Sequence, residues 1–153
     1  MSGIVGGAGS KSGVVGETEL DYEEGIFTPA TNGDTVIDGN NSYGNYVKIG
    51  RLVTIHMNIS CSSTNNSNTF QISGMPFPAL DLSGTSLENS GIMGYWTNAS
   101  QDIPFASPYV NTTSQLGCYF SFGGGVTNTA VMTNAHVDST FTARITITYQ
   151  TSS

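Results

Sequence analysis

Residues 52–61 alternate without a break. Val53, Ile55, Met57, Ile59 and Cys61 fall on one phase, and Thr54, His56, Asn58 and Ser60 on the other. A period of two is that of a strand with one dry and one wet face. The same alternation returns at Leu116, Cys118, Phe120 and Phe122 against Gly117, Tyr119 and Ser121. It returns again at Phe141, Ala143, Ile145, Ile147 and Tyr149 against Thr142, Arg144, Thr146 and Thr148. Shorter runs predict strands at 26–28, ended by Pro29, and at 43–49, turned by Gly50-Arg51. Others follow at 69–73, stopped by Gly74-Met75-Pro76, at 92–97, at 109–111 after the breaks at Pro104 and Pro108, and weakly at 130–135. Between them, 31–42, 62–68 and 79–89 read as polar loops, and Gly123-Gly124-Gly125 ends a strand.

About eight strands and no helix predict an all-β chain, and regular spacing with Gly, Asn and Pro at the turns predicts an antiparallel β-sandwich. A jelly-roll-like order is the expected version, with the first and last strands as neighbours. Residues 1–20 follow neither period and are Gly-rich, with small apolar islands at Ile4-Val5 and Val14-Val15. They read as a flexible N-terminal arm, 1–20, ahead of a sandwich domain, 21–153.

Composition changes this picture in two ways. Charged residues are only 10% of the 153, against about a quarter in ordinary globular proteins. Polarity comes instead from Ser, Thr and Asn, and no apolar run is long enough to span a bilayer, so membrane insertion is not expected. The net charge is −7, with Lys11, Lys48, Arg51 and Arg144 as the only strong bases. A phosphate-tracking groove needs clustered cations, so nucleic-acid binding is not expected either. The acids cluster: Glu17, Glu19, Asp21, Glu23 and Glu24 form one stretch, which reads as a solvated turn or as a docking segment for a basic partner.

Candidate chemistry is sparse. His136 and Asp138 lie close in sequence, but no Gly-x-Ser-x-Gly elbow accompanies them. Asn32, Asp34, Asp38 and Asn40 gather oxygens without EF-hand spacing and read as turn residues. Cys61 and Cys118 show no zinc spacing and fall on apolar phases, as buried free thiols do. No catalytic residue, metal site or cofactor is expected. The first residues lack a secretory pattern, so synthesis in a cytoplasm is expected, with the Asn-x-Ser/Thr triplets unglycosylated. Tyr22, Tyr43, Tyr46, Tyr95, Trp96, Tyr109, Tyr119 and Tyr149 divide between core packing and exposed contact surface.

Three blocks carry a resemblance: Asp21-Tyr22-Glu23-Glu24-Gly25-Ile26-Phe27-Thr28-Pro29-Ala30, then Tyr43 to Val53 with Tyr46, Lys48, Ile49 and Gly50 in place, then Ile72-Ser73-Gly74-Met75-Pro76-Phe77-Pro78. In this order they resemble the small jelly-roll-like sandwich of tailed-phage virion surface proteins, of the marine and cyanophage kind. That resemblance implies a fold and a place on the virion surface, not a catalytic site. It implies a homotrimer with one of two roles. The first is a capsid decoration (cement) protein bound to the major capsid protein, gripping through Ile4, Val5, Val14, Val15, Glu17, Glu19, Asp21, Glu23 and Glu24. The alternative is a tail-fibre tip, bound to a tail protein and recognising host surface glycan.

Overall fold

A computed structural model describes residues 21–31, 35–63, 66–80, 89–100, 103, 105–110, 116–121 and 130–152. Twelve strands are defined among them: β1 Tyr22–Phe27, β2 Ala30–Thr31, β3 Thr35–Ile37, β4 Tyr43–Ile49, β5 Leu52–Ser63, β6 Gln71–Ser73, β7 Asn89–Ser90, β8 Ile92–Ala99, β9 Phe105–Val110, β10 Leu116–Ser121, β11 Ala130–Val131 and β12 Val137–Gln150. They form two six-stranded antiparallel sheets. One runs β1-β4-β5-β12-β8, with β3 also on β5; the other runs β2-β6-β10-β9-β7, with β11 on β10. The expected all-β sandwich is therefore observed.

The central pair of the first sheet is the one that alternates most strictly. β5 and β12 pair from Phe141↔Cys61 to Gln150↔Leu52. Their inward residues, Val53 to Cys61 and Phe141 to Tyr149 on alternate positions, are all buried. Phe70, Ile72, Ala106, Val110 and Met132 complete the core, with Phe70 edge-on to Phe141 at 5.8 Å between centroids. β4 turns into β5 through two residues, Gly50-Arg51, with Gly50 at φ +56°, the left-handed backbone that such a turn demands of its first residue.

The motif blocks of the sequence interlock across β1 and β4. Phe27 pairs with Gly44 and Gly25 with Tyr46. A Cβ at Gly44 would come within 2.4 Å of the Phe27 ring, and one at Gly25 within 2.9 Å of the Tyr46 ring. Each aromatic thus lies over the glycine opposite it. Tyr46 Oη donates to Glu23 at 2.6 Å and Lys48 Nζ to Asp21 at 2.6 Å. Tyr46 also meets Phe77 of the third block edge-on at 5.2 Å. Gly74 of that block has φ +81°, and a Cβ there would lie 2.8 Å from the Thr28 carbonyl oxygen. These residues build the sandwich edge.

Several expectations are corrected. The first strand begins at Tyr22, so Glu23 and Glu24 lie in β1, where they pair with Lys48 and Val47, and not in a turn. The predicted 31–42 loop holds Thr31 of β2 and the whole of β3; Gly, Asn and Asp nearby mask strands of two and three residues. β9 runs through Pro108. A residue's N and O point to one side of its strand, and the Pro108 carbonyl accepts from Gly91 N at 2.7 Å. The missing N–H therefore lies beside the end of β7, not in the ladder with β10. The segment after β11 is a 3-10 turn, Asn134–His136, not a continued strand. The first and last strands are not neighbours, because β4 and β5 stand between β1 and β12.

That 3-10 turn is held by a buried amide. Asn134 is fully buried, accepts from Thr35 Oγ1 at 2.8 Å and donates Nδ2 to Asn66 Oδ1 at 3.0 Å. Asn134→Ala leaves the buried Thr35 hydroxyl without that acceptor and is expected to cost about 1–3 kcal/mol, read from urea unfolding. A cost no larger than that of an exposed substitution would show the network to be idle.

Burial also sets an alkaline limit. It pushes the free Cys61 thiol from 9.0 up to about 12, and the Tyr149 phenol from 10.0 up to about 12. Both are held neutral in the fold and ionise more readily once unfolded. Stability is fully present below the unfolded values and is lost as pH rises towards 12, by about 1.4 kcal/mol per pH unit for each proton released. A urea midpoint that stays level across this window would contradict the assignment.

Candidate functional site

The outer face of the first sheet departs from the usual polar surface. Cross-strand pairing sets Ile26, Asn45, His56, Thr146 and Ile92 in one row from β1 to β8, and Tyr43, Asn58, Arg144 and Tyr95 in the next. Toward the Gly50 turn lie Val47, Ile49, Leu52 and Tyr22, all exposed. Ile26 is 88% exposed, Ile92 70% and Tyr43 66%. Of the ten large apolar side chains exposed among the described residues, only Val36 and Phe105 lie off these rows. Such clustering marks a contact surface; scattered exposed apolar residues do not.

β4 explains part of it. Gly44, Tyr46 and Lys48 share the inward phase with Met57, Ile55 and Val53, so Val47 and Ile49 turn outward. Lys48 is buried, paired with Asp21 and 5.7 Å from the Phe77 ring centre. An ammonium sits where an aliphatic is expected, and two aliphatics sit in solvent.

Two shallow depressions mark the face. The larger, about 580 Å³, is lined by Tyr43, His56, Asn58, Ile92, Tyr95 and Arg144, among others, and by no carboxylate among the described residues. The smaller, about 380 Å³, lies between Glu24, Ile26, Asn45 and Val47 and shares His56 as a wall. In the larger, the Arg144 guanidinium carbon lies 4.9 Å from the centre of the Tyr95 ring, a cation–π contact that uses none of its N–H donors on a carboxylate. His56 Nδ1 is 2.9 Å from Thr146 Oγ1, and Asn58 Nδ2 donates to the Asn41 carbonyl at 2.6 Å. These hydrogen bonds fix the polar floor. Gly94 lets β8 bulge between Met93 and Tyr95, which keeps Ile92 and Tyr95 on one face.

Of the arm and acidic residues singled out from the sequence, Glu24 lines the smaller depression and the others fall elsewhere. Ile4, Val5, Val14, Val15, Glu17 and Glu19 lie outside the described residues, as do Asn32 and Asp34 and the side chain of Cys118. Asp21, Glu23 and Glu24 stand at the β1 edge with partners inside the fold: Lys48, Tyr46 and Tyr22 respectively. The hydrogen bonds to Glu23 and Glu24 raise the pKa of Tyr46 and Tyr22. Asp38 is a turn residue. Its carboxylate accepts from Asn41 Nδ2 and Asn40 N, bonds that lower its pKa. His136 Nδ1 accepts from Thr133 N at 3.0 Å, closing the 3-10 turn, and Asp138 Oδ1 accepts from Ser139 N. Among the described residues no three His, Cys, Asp or Glu side chains gather as metal ligands, and no helix is long and apolar enough to cross a membrane.

Comparison with known protein families and with curated proteins gives no match. Among solved structures, the crystal structure of the Dettilon tailspike protein (gp208) matches with a TM-score of 0.66 at 19% identity, over 84% of this chain. The sandwich is similar to part of a tailspike. The match takes in 24% of that protein, so the chain corresponds to about a quarter of its length. At this identity the likeness concerns the fold.

Sequence reasoning did not find the outer face. Its signal is nevertheless present. Val47 and Ile49 flank Lys48, and Ile92 follows Gly91, so apolar residues occupy the phase that faces water.

Proposed function

We propose that the chain is a non-enzymatic surface module of a tailed-phage virion, carried as a homotrimer on a tail spike or fibre, where it contacts host surface glycan. The observation that carries this reading is the outer face of the first sheet, apolar and aromatic around one uncommitted guanidinium. The motif blocks at 21–30, 43–53 and 72–78 and the similarity to part of a tailspike support the phage setting. The aliphatic half of the face (Val47, Ile49 and Leu52) suits contact between copies, where a symmetric assembly covers it. The aromatic half suits a sugar, whose apolar ring face stacks on tyrosine while its hydroxyls meet fixed amides.

Immunogold labelling of intact virions tests the setting, with label expected on the tail. Label over the head alone would overturn it in favour of the capsid decoration reading. That alternative is favoured by the acids that run from Glu17 into the exposed β1 edge; residues 1–24 would then grip the major capsid protein. Sedimentation tests the assembly, and a monomer at micromolar concentration would count against both roles.

A further inference from the structure

We infer that the Arg144 depression selects an acidic saccharide, with the sugar carboxylate on the guanidinium and the ring against Tyr43. The inference rests on the host-glycan reading above and names the class of glycan.

Charge carries the argument. The chain has eleven acids and four strong bases. Lys11 lies outside the described residues. Lys48 is buried against Asp21, and Arg51 donates Nε to the Thr151 carbonyl at 3.0 Å. Arg144 is exposed, and no described carboxylate lies within ion-pair distance of it. Among the described residues, the larger depression is lined by an arginine and a histidine and by no acid. An arginine clear of the described acids is available to an external anion.

Geometry narrows the anion. The Tyr95 ring, 4.9 Å from the guanidinium carbon, holds the cation in the depression, and a guanidinium edge matches a carboxylate with two parallel hydrogen bonds. The Tyr43 ring stands beside it, across Asn58. Among the described residues Asn58 Oδ1 and His56 Nε2 have no hydrogen bond, so one acceptor and one further ring nitrogen remain for hydroxyls. One cation in an open, polar-floored depression suits one carboxylate per few sugar units. It does not suit nucleic acid, whose dense phosphates the net negative charge repels.

The test uses the whole chain with defined sparsely charged probes: an oligosaccharide with a single terminal sialic acid, an oligosaccharide with a single uronic acid and neutral maltoheptaose, by calorimetry, with adsorption to host cells in parallel. At least one acidic probe is expected to bind, and maltoheptaose is not. Arg144→Ala is expected to weaken acidic binding about ten- to a hundredfold. Arg144→Lys, which keeps charge but loses the fork, falls between, and Tyr43→Ala weakens it without changing the melting temperature. Equal binding of neutral and acidic probes, or binding of no acidic probe, overturns the inference. If cells are still bound in that case, host recognition survives and only the acidic selection falls; if cells are not bound, both fall. Dissociation of the trimer by Arg144→Ala also overturns it, because the depression then belongs to the contact between copies.

Discussion

Phe141→Ala is expected to lose about 3–5 kcal/mol of stability, a large part of the roughly 5–15 kcal/mol that holds a domain of this kind. Phe141 is fully buried opposite Cys61 and edge-on to Phe70. Phe70 is itself tied to the Met132 carbonyl by its backbone N–H at 2.8 Å, so the segment cannot follow the truncated side chain inward. The cavity stays open, and its lining loses contacts on one side. Urea unfolding checks this: the midpoint should fall while the slope holds. Phe141→Leu, which keeps much of the volume, should cost clearly less. Equal losses for the two would mean that edge-on stacking, not volume, dominates the site.

Gly91→Ala is the second large effect, expected to cost about 1–3 kcal/mol and, on the proposed glycan reading, to remove saccharide binding with it. Gly91 is the one residue between β7 of the second sheet and β8 of the first. Its N–H holds the Pro108 carbonyl, and an added Cβ would lie 2.4 Å from the Thr146 oxygen and 2.7 Å from Ile147 Cβ. Neither neighbour is a flexible tip; both belong to β12, at the heart of the sheet. The methyl must push β8 outward, and Ile92, the next residue, leaves the rim of the depression. Gly94 is the control. Nothing lies within 4 Å of a Cβ there, so Gly94→Ala should keep its stability within about 0.5 kcal/mol. If Gly91→Ala and Gly94→Ala melt together, the close approach is not what requires glycine.

Legibility followed burial. β5 and β12 were readable because each lies between two other strands and packs one face on the core, so their alternation is unbroken. β4 was placed correctly by its Gly50-Arg51 turn, but its phase was not readable. Lys48 points inward only because Asp21, twenty-seven residues earlier, supplies a carboxylate. Composition around β2 and β3 reports turns, while pairing with β6 and β5 decides their structure. The depression draws on β4, β5, β12 and β8, and no local pattern shows that Tyr43 and Arg144 share a row.

The outer face is held together by side-chain hydrogen bonds: Thr54 with Thr148, His56 with Thr146, Asn58 with the Asn41 carbonyl. One ion pair, Lys48 with Asp21, is present among the described residues. Ionic strength therefore acts on folding and on recognition with opposite signs. Shortening the Debye length from about 30 Å to about 3 Å takes little from the fold and relieves the mutual repulsion of its excess acids. The same change strips Arg144 of its reach toward an anion. On the proposed glycan reading, the module would stay folded in brine while its grip loosened, and dilution would restore the grip without refolding anything.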